Sequence, residues 1–386
     1  MLNDWQDTIE FAQTFRRKLH QYPELSWQEH NTATAIRDQL DEFNIPWQTC
    51  AQTGTVAWIN PSGSKPAIAL RGDIDALPIH EETGKAWQST QQGCMHACGH
   101  DGHTATLLAT ARWLKLHEHT LTKTIVLLFQ PAEEGGHGAR EMIADGALHD
   151  VGEVYGWHNW PALPYGTFAC PDDLVMCGNG TFTIRLKGSG GHASQPEQCA
   201  DPVLAASAVT MALQQICSRQ LAPQKAAVVS VTRIQSGDAL TVIPQYAHIG
   251  GSIRVPDEAT RNIINESITD IAMKTAAAYG VNCEVEHQMR YSATINHAQP
   301  ATNARNTWKS LYGEQTLAHG QSLPIMASED FSYYLQHKPG AFALIGSNDG
   351  RNHDVPCHSP NYDFNDRLIN DVCRWFCRLC GMKTPP

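Results

Sequence analysis

Between two predicted strands the chain reads Met95-His96-Ala97-Cys98-Gly99-His100-Asp101-Gly102-His103-Thr104. One thiol, three imidazoles and one carboxylate stand in this run, just before a helix predicted from Thr104 to about Glu118. Residues 67–71 and 124–129 on either side are continuous apolar runs, as expected of strands covered on both faces. This alternation predicts an α/β fold with a mixed sheet flanked by helices.

Two further polar clusters follow, Gln130-Pro131-Ala132-Glu133-Glu134-Gly135-Gly136-His137 and Gly156-Trp157-His158-Asn159-Trp160-Pro161. We expect all three clusters to lie in loops at strand ends, which is where α/β sheets place their sites. A lone His or Cys would be a core residue by default. The density of possible ligands in three such loops instead predicts a metal-dependent hydrolytic site.

A dinuclear hydrolase needs two cations about 3.5–4 Å apart, a ligand that bridges them and an activated water. Cys98 suits the bridge, because a thiolate has several lone pairs and two cations would lower its pKa. His100 and His158 could complete one metal, and Glu134 with a distant histidine could complete the other. These ligand types favour two divalent ions chosen from Mn, Zn, Co and Ni over Mg or Ca. Glu133 is then available as a general base.

Other polar residues near these clusters have more than one interpretation. His96, His103 and His137 are predicted to be solvated or to support the site, and not to bind metal. Asp75 could orient a ligand histidine, as carboxylates behind metal sites do. Asp73 could contribute to the site or simply form a turn.

The pattern changes near residue 179, where apolar and polar residues begin to alternate. The order β-α-β-β-α-β over residues 179–291 predicts a ferredoxin-like α+β domain inserted into the first. Residues 1–178 and 292–386 would form the catalytic domain. It would begin with two helices over about residues 5–43 and end with a helix.

The composition excludes several classes of protein. With 386 residues and a net charge of −11, the chain is long enough for two domains and does not suit a general nucleic-acid binder. No stretch reaches the roughly 18 apolar residues of a membrane span. The N-terminal residues lack the pattern of a signal peptide. We therefore expect a cytoplasmic protein.

The twelve cysteines are expected to stay reduced, as in most cytosolic proteins, rather than to form disulfides. Cys373, Cys377 and Cys380 recur at helical spacing. We interpret them as small apolar residues on the packed face of a terminal helix. A metal site in this tail is the alternative, but no fourth ligand stands nearby.

Seven motifs, in the same order along nearly the whole chain, resemble those of the M20 metallopeptidase family and of its amidohydrolase branch, subfamily D. They occupy residues 17–25, 71–78 (Arg71-Gly72-Asp73-Ile74-Asp75-Ala76-Leu77-Pro78), 95–104, 129–136, 190–194 (Gly190-Gly191-His192-Ala193-Ser194), 328–334 and 358–364. That branch contains N-acyl-amino-acid hydrolases, hippurate hydrolases and plant auxin-conjugate hydrolases.

The resemblance implies roles for single residues. Cys98 would bridge the two metals, His100 and His158 would bind one of them, and Glu134 and His358 would bind the other. Glu133 would be the general base.

The resemblance also implies that the inserted domain is a lid that forms a homodimer, with a tetramer left open. Its His192 would reach the active site of the partner subunit and stabilise the tetrahedral oxyanion. Arg254 would lie near the substrate carboxylate, or would have only a surface role.

Two positions depart from the family's pattern. The lid motif usually reads Asn-Val-Ile-Pro, with the Asn contacting substrate, and this chain has the shorter Thr241 in its place. The residue before the last metal histidine is usually Leu, whereas here it is Cys357. Its thiol could be passive or susceptible to oxidation.

We therefore interpret the chain as a metal-dependent amidohydrolase that splits a small-molecule N-acyl amino acid into a carboxylate and an amine. A hydroxide held between the metals would attack the carbonyl, and Glu133 would pass the proton to the nitrogen. Three alternatives remain. They are a metal-dependent dipeptidase on the same scaffold, a thiol hydrolase with Cys98 as nucleophile, and a binding protein on an inactive scaffold.

Overall fold

The computed structural model describes residues 2–318 and 323–386. Met1 and residues 319–322, which fall in the predicted catalytic domain, lie outside the described residues. The chain divides into two compact units. The first comprises Met1–Val175, Ile295–Ser322 and Asp330–Pro386, and the second comprises Met176–Thr294 and Leu323–Glu329. The predicted roles and boundaries of the two domains stay a prediction.

The α-helices are, in chain order, α1 (Leu2–Gln21), α2 (His30–Glu42), α3 (His100–Leu116), α4 (Gly138–Ala144), α5 (Pro202–Leu213), α6 (Glu258–Ala278), α7 (Ala298–Tyr312), α8 (Ser332–His337) and α9 (Arg367–Leu379). The strands are β1 (Trp47–Cys50), β2 (Gly54–Ile59), β3 (Ser64–Asp73), β4 (Lys123–Gln130), β5 (Val151–Pro164), β6 (Phe168–Ala169), β7 (Leu174–Met176), β8 (Gly178–Lys187), β9 (Gly191–His192), β10 (Val228–Ser236), β11 (Val242–Ile243), β12 (Tyr246–Val255), β13 (Asn282–Met289), β14 (Thr294–Ile295) and β15 (Gly340–Asn348).

The first unit is built on a seven-stranded mixed sheet with the order β1-β2-β4-β3-β5-β15-β6. The central strands β4, β3, β5 and β15 pair in parallel, whereas β1, β2 and β6 make antiparallel pairings. Both β4 and β15 are buried along nearly their whole length, as parallel strands covered on both faces are. The predicted α/β class with a mixed, helix-flanked sheet is confirmed.

A layer of helices forms much of the core of this unit. α3 packs against α1 and α9, and the rings of Trp5 and Trp113 meet edge to face at 4.9 Å between centroids. Cys373 and Cys377 lie in α9 and Cys380 directly follows it, and all three are buried, free thiols. Their prediction as packing residues of a terminal helix is confirmed.

The second unit holds an antiparallel four-stranded sheet with the order β10-β12-β8-β13. α5 and α6 pack on this sheet. Each helix begins at an aspartate whose side chain accepts backbone hydrogen bonds, Asp201 before α5 and Asp257 before α6, and such caps are strong helix starts. The chain order of these elements confirms the predicted ferredoxin-like arrangement.

Two predicted placements are wrong. His100 is the first residue of α3, so this helix begins four residues before Thr104. His158 lies inside β5 and not in a strand-end loop. The last residue pair between β3 and β5 joins Leu70 of β3 to Tyr155 of β5. Beyond it β5 continues alongside β15, where His158 of β5 pairs with Leu344 of β15. His158 therefore lies beyond the last residue pair that links β3 to β5.

Within residues 2–318 and 323–386, none of the helices combines the length and the apolar character that spanning a bilayer requires.

Candidate metal centre

Gly99 shapes the turn that begins α3. Its φ is 99°, a left-handed conformation that favours glycine. A Cβ at this position would lie only 2.2 Å from the Oδ1 of Asn159. Next to this turn, the His358 N–H donates a hydrogen bond of 2.7 Å to the carbonyl of Ala97. The turn thus joins residues from distant parts of the chain at one place.

Cys98, His100 and His158 form the first group of possible metal ligands, with one donor atom from each lying within 4.8 Å of the others. All three side chains are buried. The Nδ1 of His100 lies 2.9 Å from the carbonyl oxygen of Asp75 and 3.2 Å from its Oδ1. The Nδ1 of His158 lies 2.6 Å from the carbonyl oxygen of Asn159. Each ring can therefore donate through Nδ1 and offer Nε2 to a metal, as metal-binding histidines do.

Cys98, Glu134 and His358 form the second group, so the two groups share the Cys98 thiol. The Nε2 of His358 approaches the Oε1 of Glu134 to 3.0 Å, but without hydrogen-bond geometry, and this buried oxygen has no hydrogen-bond partner. The Nε2 of His100 is also buried without one. Buried polar atoms are normally satisfied, and a cation between these converging donors would satisfy both. The donor set therefore fits a metal.

The thiol of Cys98 would keep its proton in the absence of a cation. A hydrogen bond with Cys357, together with burial and the nearby Glu134 and Glu133, raises the pKa of Cys98 well above its usual range. Since a metal ligand must be the thiolate, metal binding at Cys98 has to release a proton.

Glu133 and Glu134 have different surroundings although they are adjacent. The Glu134 N–H donates to the Oδ2 of Asp75 at 2.9 Å. Glu133 is buried, and its Oε1 accepts from the N–H of Asp330 at 3.3 Å. A carboxylate oxygen of Glu133 lies within 4.8 Å of donor atoms of His100 and Glu134. Glu133 is thus close enough to act on a molecule bound at the centre.

His103 and Asp73 lie behind the first ligand group. Asp73 is the last residue of β3, is fully buried and accepts hydrogen bonds from Arg71 and from the Nδ1 of His103, at 2.6 Å for the latter. The Nε2 of His103 lies 2.8 Å from the Oδ1 of Asn159. Both ring nitrogens of His103 are therefore engaged. The solvated alternative is wrong for His103, and Asp73 does more than form a turn.

The two remaining histidines differ from each other. His96 is buried, with neither ring nitrogen hydrogen-bonded, and burial lowers its pKa to about 4. His137 is partly buried and its Nδ1 lies 2.8 Å from the Oη of Tyr333. The solvated alternative is therefore wrong for His96 as well.

Three predicted substrate residues belong to the second unit. His192 lies in β9 and is exposed, and its Nδ1 accepts a hydrogen bond of 3.1 Å from the Ser194 N–H. In the neutral ring Nε2 then carries the proton and can donate. Arg254 is half-buried in β12, and burial lowers its pKa. Thr241 is exposed, and its carbonyl accepts from the Ala193 N–H at 3.0 Å.

The sequence interpretation missed a buried charge network at the start of α3. The ring of His20 lies between the carboxylates of Asp101, at 2.8 Å, and Glu81, at 3.2 Å. The guanidinium of Arg16 approaches Asp101 to 3.7 Å. His20 belongs to one of the motifs that carry the family resemblance, but a separation of 81 residues hides its pairing with Asp101.

The pKa of His20 predicts a pH-dependent stability. Burial alone would lower this pKa, but Asp101 and Glu81 raise it from 6.5 to about 9. Folding therefore favours protonated His20, and this stabilisation is complete below pH 6.5 and is lost as the pH rises through about 9. At about 1.4 kcal/mol per pKa unit, the free energy of unfolding should fall by roughly 3 kcal/mol over this range. Urea denaturation at a series of pH values measures the fall.

His20→Gln is the control for this prediction. Other groups that titrate in the same pH range affect the free energy of unfolding of both proteins equally. The free energy of unfolding should therefore fall less steeply with pH in the variant, and the difference between the two proteins is the contribution of His20. Equal slopes in the two proteins would contradict the assignment.

Metal-dependent hydrolases are the class of protein that this sheet and this donor set define. The chain belongs to peptidase family M20/M25/M40, and the model of that family matches residues 69–381. Membership supports a divalent metal cofactor for this centre.

Individual relatives narrow the class. The IAA-amino acid hydrolase ILR1-like 2 of Arabidopsis thaliana is 36% identical over 368 residues, which cover 94% of this chain and 83% of that protein. The N-acetylcysteine deacetylase of Bacillus subtilis is 36% identical over 366 residues, covering 94% of each. Among solved structures, the Bacillus subtilis YXEP protein, a dinuclear metal binding peptidase from the M20 family, has a TM-score of 0.85 at 32% identity and covers 98% of this chain and 100% of that one. The predicted family and its amidohydrolase branch are confirmed.

Proposed function

We propose that this chain hydrolyses the amide bond of small N-acyl amino acids, releasing a carboxylate and an amino acid. One observation carries the proposal. The Cys98 thiol belongs to two ligand groups at once, while a carboxylate oxygen of Glu133 lies within 4.8 Å of donor atoms of His100 and Glu134 but in neither of the groups that contain Cys98. Relatives named for IAA-amino acids and N-acetylcysteine support an amino-acid conjugate as the substrate.

Two divalent cations fit the two ligand groups. In this proposal Cys98 would be shared by the two ions, His100 and His158 would hold one of them, and Glu134 and His358 would hold the other. Thiolate, imidazole and carboxylate ligands together favour Mn, Zn, Co or Ni. When bound, such ions lower the pKa of water and polarise a carbonyl group.

Glu133 moves the proton in this reaction. Its carboxylate accepts a proton from the attacking water and then donates it to the leaving nitrogen. The hydrogen bond from the Asp330 N–H to its Oε1 helps to hold the side chain in place. Asp75 contacts both His100 and the backbone of Glu134 and so orients one ligand of each metal.

The second unit supplies residues for the substrate. Residues 179–291 act as a lid and dimerisation domain, and the Nε2–H of His192 donates to the oxyanion that forms in the active site of the partner subunit. Arg254 binds the substrate carboxylate, and the hydroxyl of Thr241 stands where an amide contacts substrate in the family's pattern.

Mixing two inactive variants tests the exchange of His192 between subunits. Glu133→Gln and His192→Ala should each be nearly inactive alone. In a symmetric dimer that contains one chain of each kind, one site has both Glu133 and a His192 from the partner. Activity should therefore return after the two proteins are unfolded, mixed and refolded together. If it does not return although mass spectrometry detects mixed dimers, His192 does not act across the dimer.

A substrate screen tests the function itself. The protein is loaded separately with Mn, Zn, Co or Ni and assayed for release of free amine from N-acetyl, N-benzoyl and N-lauroyl amino acids and from simple dipeptides. We expect release from acylated substrates, abolished by a chelator and restored by metal. Glu133→Gln, loaded in the same way, controls for contaminating hydrolases. Cleavage of dipeptides alone would replace the proposal with a dipeptidase, and metal-independent cleavage would contradict it.

A further inference from the structure

A short segment between α1 and α2 holds the loop that carries Glu133. The Oγ of Ser26 donates to the Oδ2 of Asp75 at 2.7 Å. The indole N–H of Trp27 donates to the carbonyl of Gly136 at 3.2 Å. The Oε1 of Glu29 accepts from the Ala132 N–H at 2.8 Å. Residues 26–29 therefore hydrogen-bond to the loop on both sides of Glu133, at Ala132 and Gly136, and also to Asp75.

Glu29 is unusual among these contacts because its side chain is an acid with no exposed surface. Its other oxygen, Oε2, accepts a hydrogen bond of 2.7 Å from the hydroxyl of Thr53. No cation is paired with it among the interactions described, and burial followed by the charge of Asp75 raises its pKa to about 7. Burying an acid without a cation is costly, so its place at this loop needs a specific reason.

The backbone of the loop supplies that reason. Ala132 has a φ of 52°, in the left-handed region that residues other than glycine seldom adopt. Such a conformation persists only where its surroundings hold it. Glu29 holds the Ala132 N–H, and the Ala132 carbonyl accepts from the Gly138 N–H at 3.1 Å. Both backbone polar groups of Ala132, the residue that precedes Glu133, are thus hydrogen-bonded.

We propose that Glu29 is a positioning residue, which holds the backbone of Ala132 so that the carboxylate of Glu133 faces the metal centre while Glu134 remains with the metal ligands. This inference rests on the proposed role of Glu133 as general base. It assigns Glu29 no contact with substrate or metal.

The test compares Glu29→Ala and Glu29→Asp with Glu29→Gln. Alanine removes the acceptor and aspartate withdraws it by one methylene, so both should lower kcat by about 10- to 100-fold, the size expected when a reacting group is slightly misplaced. KM and metal content should stay unchanged. Glutamine keeps an acceptor oxygen at the same reach and should restore kcat. Aspartate keeps the negative charge but moves the acceptor oxygen, so a loss of kcat in Glu29→Asp is due to the position of that oxygen and not to the charge. If Glu29→Ala does not fold, Glu29→Asp serves as the test variant in its place.

Glu24→Ala is the matched control. Glu24 also serves the start of α2, by accepting from the N–H groups of Asn31 and Thr32 at 3.1 and 2.8 Å, but its side chain makes no described hydrogen bond to residues 131–136. This variant should lose stability and keep kcat.

A double-mutant cycle decides between positioning and general damage. If Glu29 acts through Glu133, Glu29→Ala should cost little further activity in a Glu133→Gln background. An equal loss in both backgrounds, or loss of metal from Glu29→Asp, overturns the inference. If Glu29→Ala keeps the wild-type kcat while Glu133→Gln is nearly inactive, the positioning role of Glu29 is overturned and the proposed function stands. Wild-type kcat in Glu133→Gln overturns the proposed function instead.

Discussion

Replacing Glu133 by glutamine should lower kcat by about 10²–10⁴-fold, the usual contribution of a positioned acid–base group. The amide has nearly the shape of the carboxylate and can still accept the Asp330 N–H that now reaches Oε1. It cannot accept a proton from water or pass one to the leaving nitrogen. KM should change little, because the lost interaction belongs to the transition state.

Metal analysis of the same variant separates catalysis from assembly. Glu133 lies outside the two ligand groups that share Cys98, so Glu133→Gln should keep its full metal content. Glu134→Gln is the matched comparison, since it changes the neighbouring carboxylate and should weaken metal binding. Turnover at the wild-type rate in metal-loaded Glu133→Gln would remove Glu133 from the mechanism.

The second large effect concerns Cys98, whose replacement by alanine should deplete the centre of metal. Each ligand group would be left with two donors, a histidine pair or a glutamate with a histidine. Loss of a residue that only hydrogen-bonds to a metal ligand typically weakens metal binding by about 10–100-fold. Loss of a ligand that both groups share should weaken metal binding by more than this in each group. Metal content after dialysis against a weak chelator, measured by mass spectrometry, gives the result.

Cys357→Ala controls for the loss of a nearby thiol. Cys357 hydrogen-bonds to Cys98, and its Sγ lies 3.9 Å from the Cys98 carbonyl oxygen, yet it belongs to neither ligand group. Cys357→Ala should retain both ions. Two ions per chain in Cys98→Ala would refute the bridge, and metal-independent activity of the native protein that iodoacetamide abolishes would favour a thiol hydrolase.

The sequence was most informative where local pattern and buried structure coincide. The apolar runs at residues 67–71 and 124–129 lie in β3 and β4. A continuous apolar run is the sequence pattern of a strand that is buried on both faces, so these two strands could be predicted locally. The alternation after residue 179 became β8, whose residues alternate in burial. β5 offered no such pattern, since apolar, aromatic and polar residues are mixed along Val151–Pro164. The position of His158 within it depends on pairing with β15, which is distant in sequence.

The candidate site was only partly predictable for the same reason. Cys98 and Glu134 lie in short stretches of sequence that are dense in polar residues, so they could be predicted as metal ligands from the sequence. Glu29 and His20 are single polar residues near amphipathic helices, where an exposed role is the default expectation. Their burial depends on contacts with Ala132 and Asp101, and no local pattern encodes such long-range pairs.

The backbone hydrogen bond between His358 and Ala97 also bears on how the protein matures in the cell. The second ligand group requires residue 358, which a ribosome adds only after the whole of the second unit. A growing chain therefore presents His100 and Cys98 long before His358 is added, and until then only the first ligand group is complete. The second ligand group can therefore be completed only late in synthesis, and a nascent chain released before residue 358 would lack one of its three members.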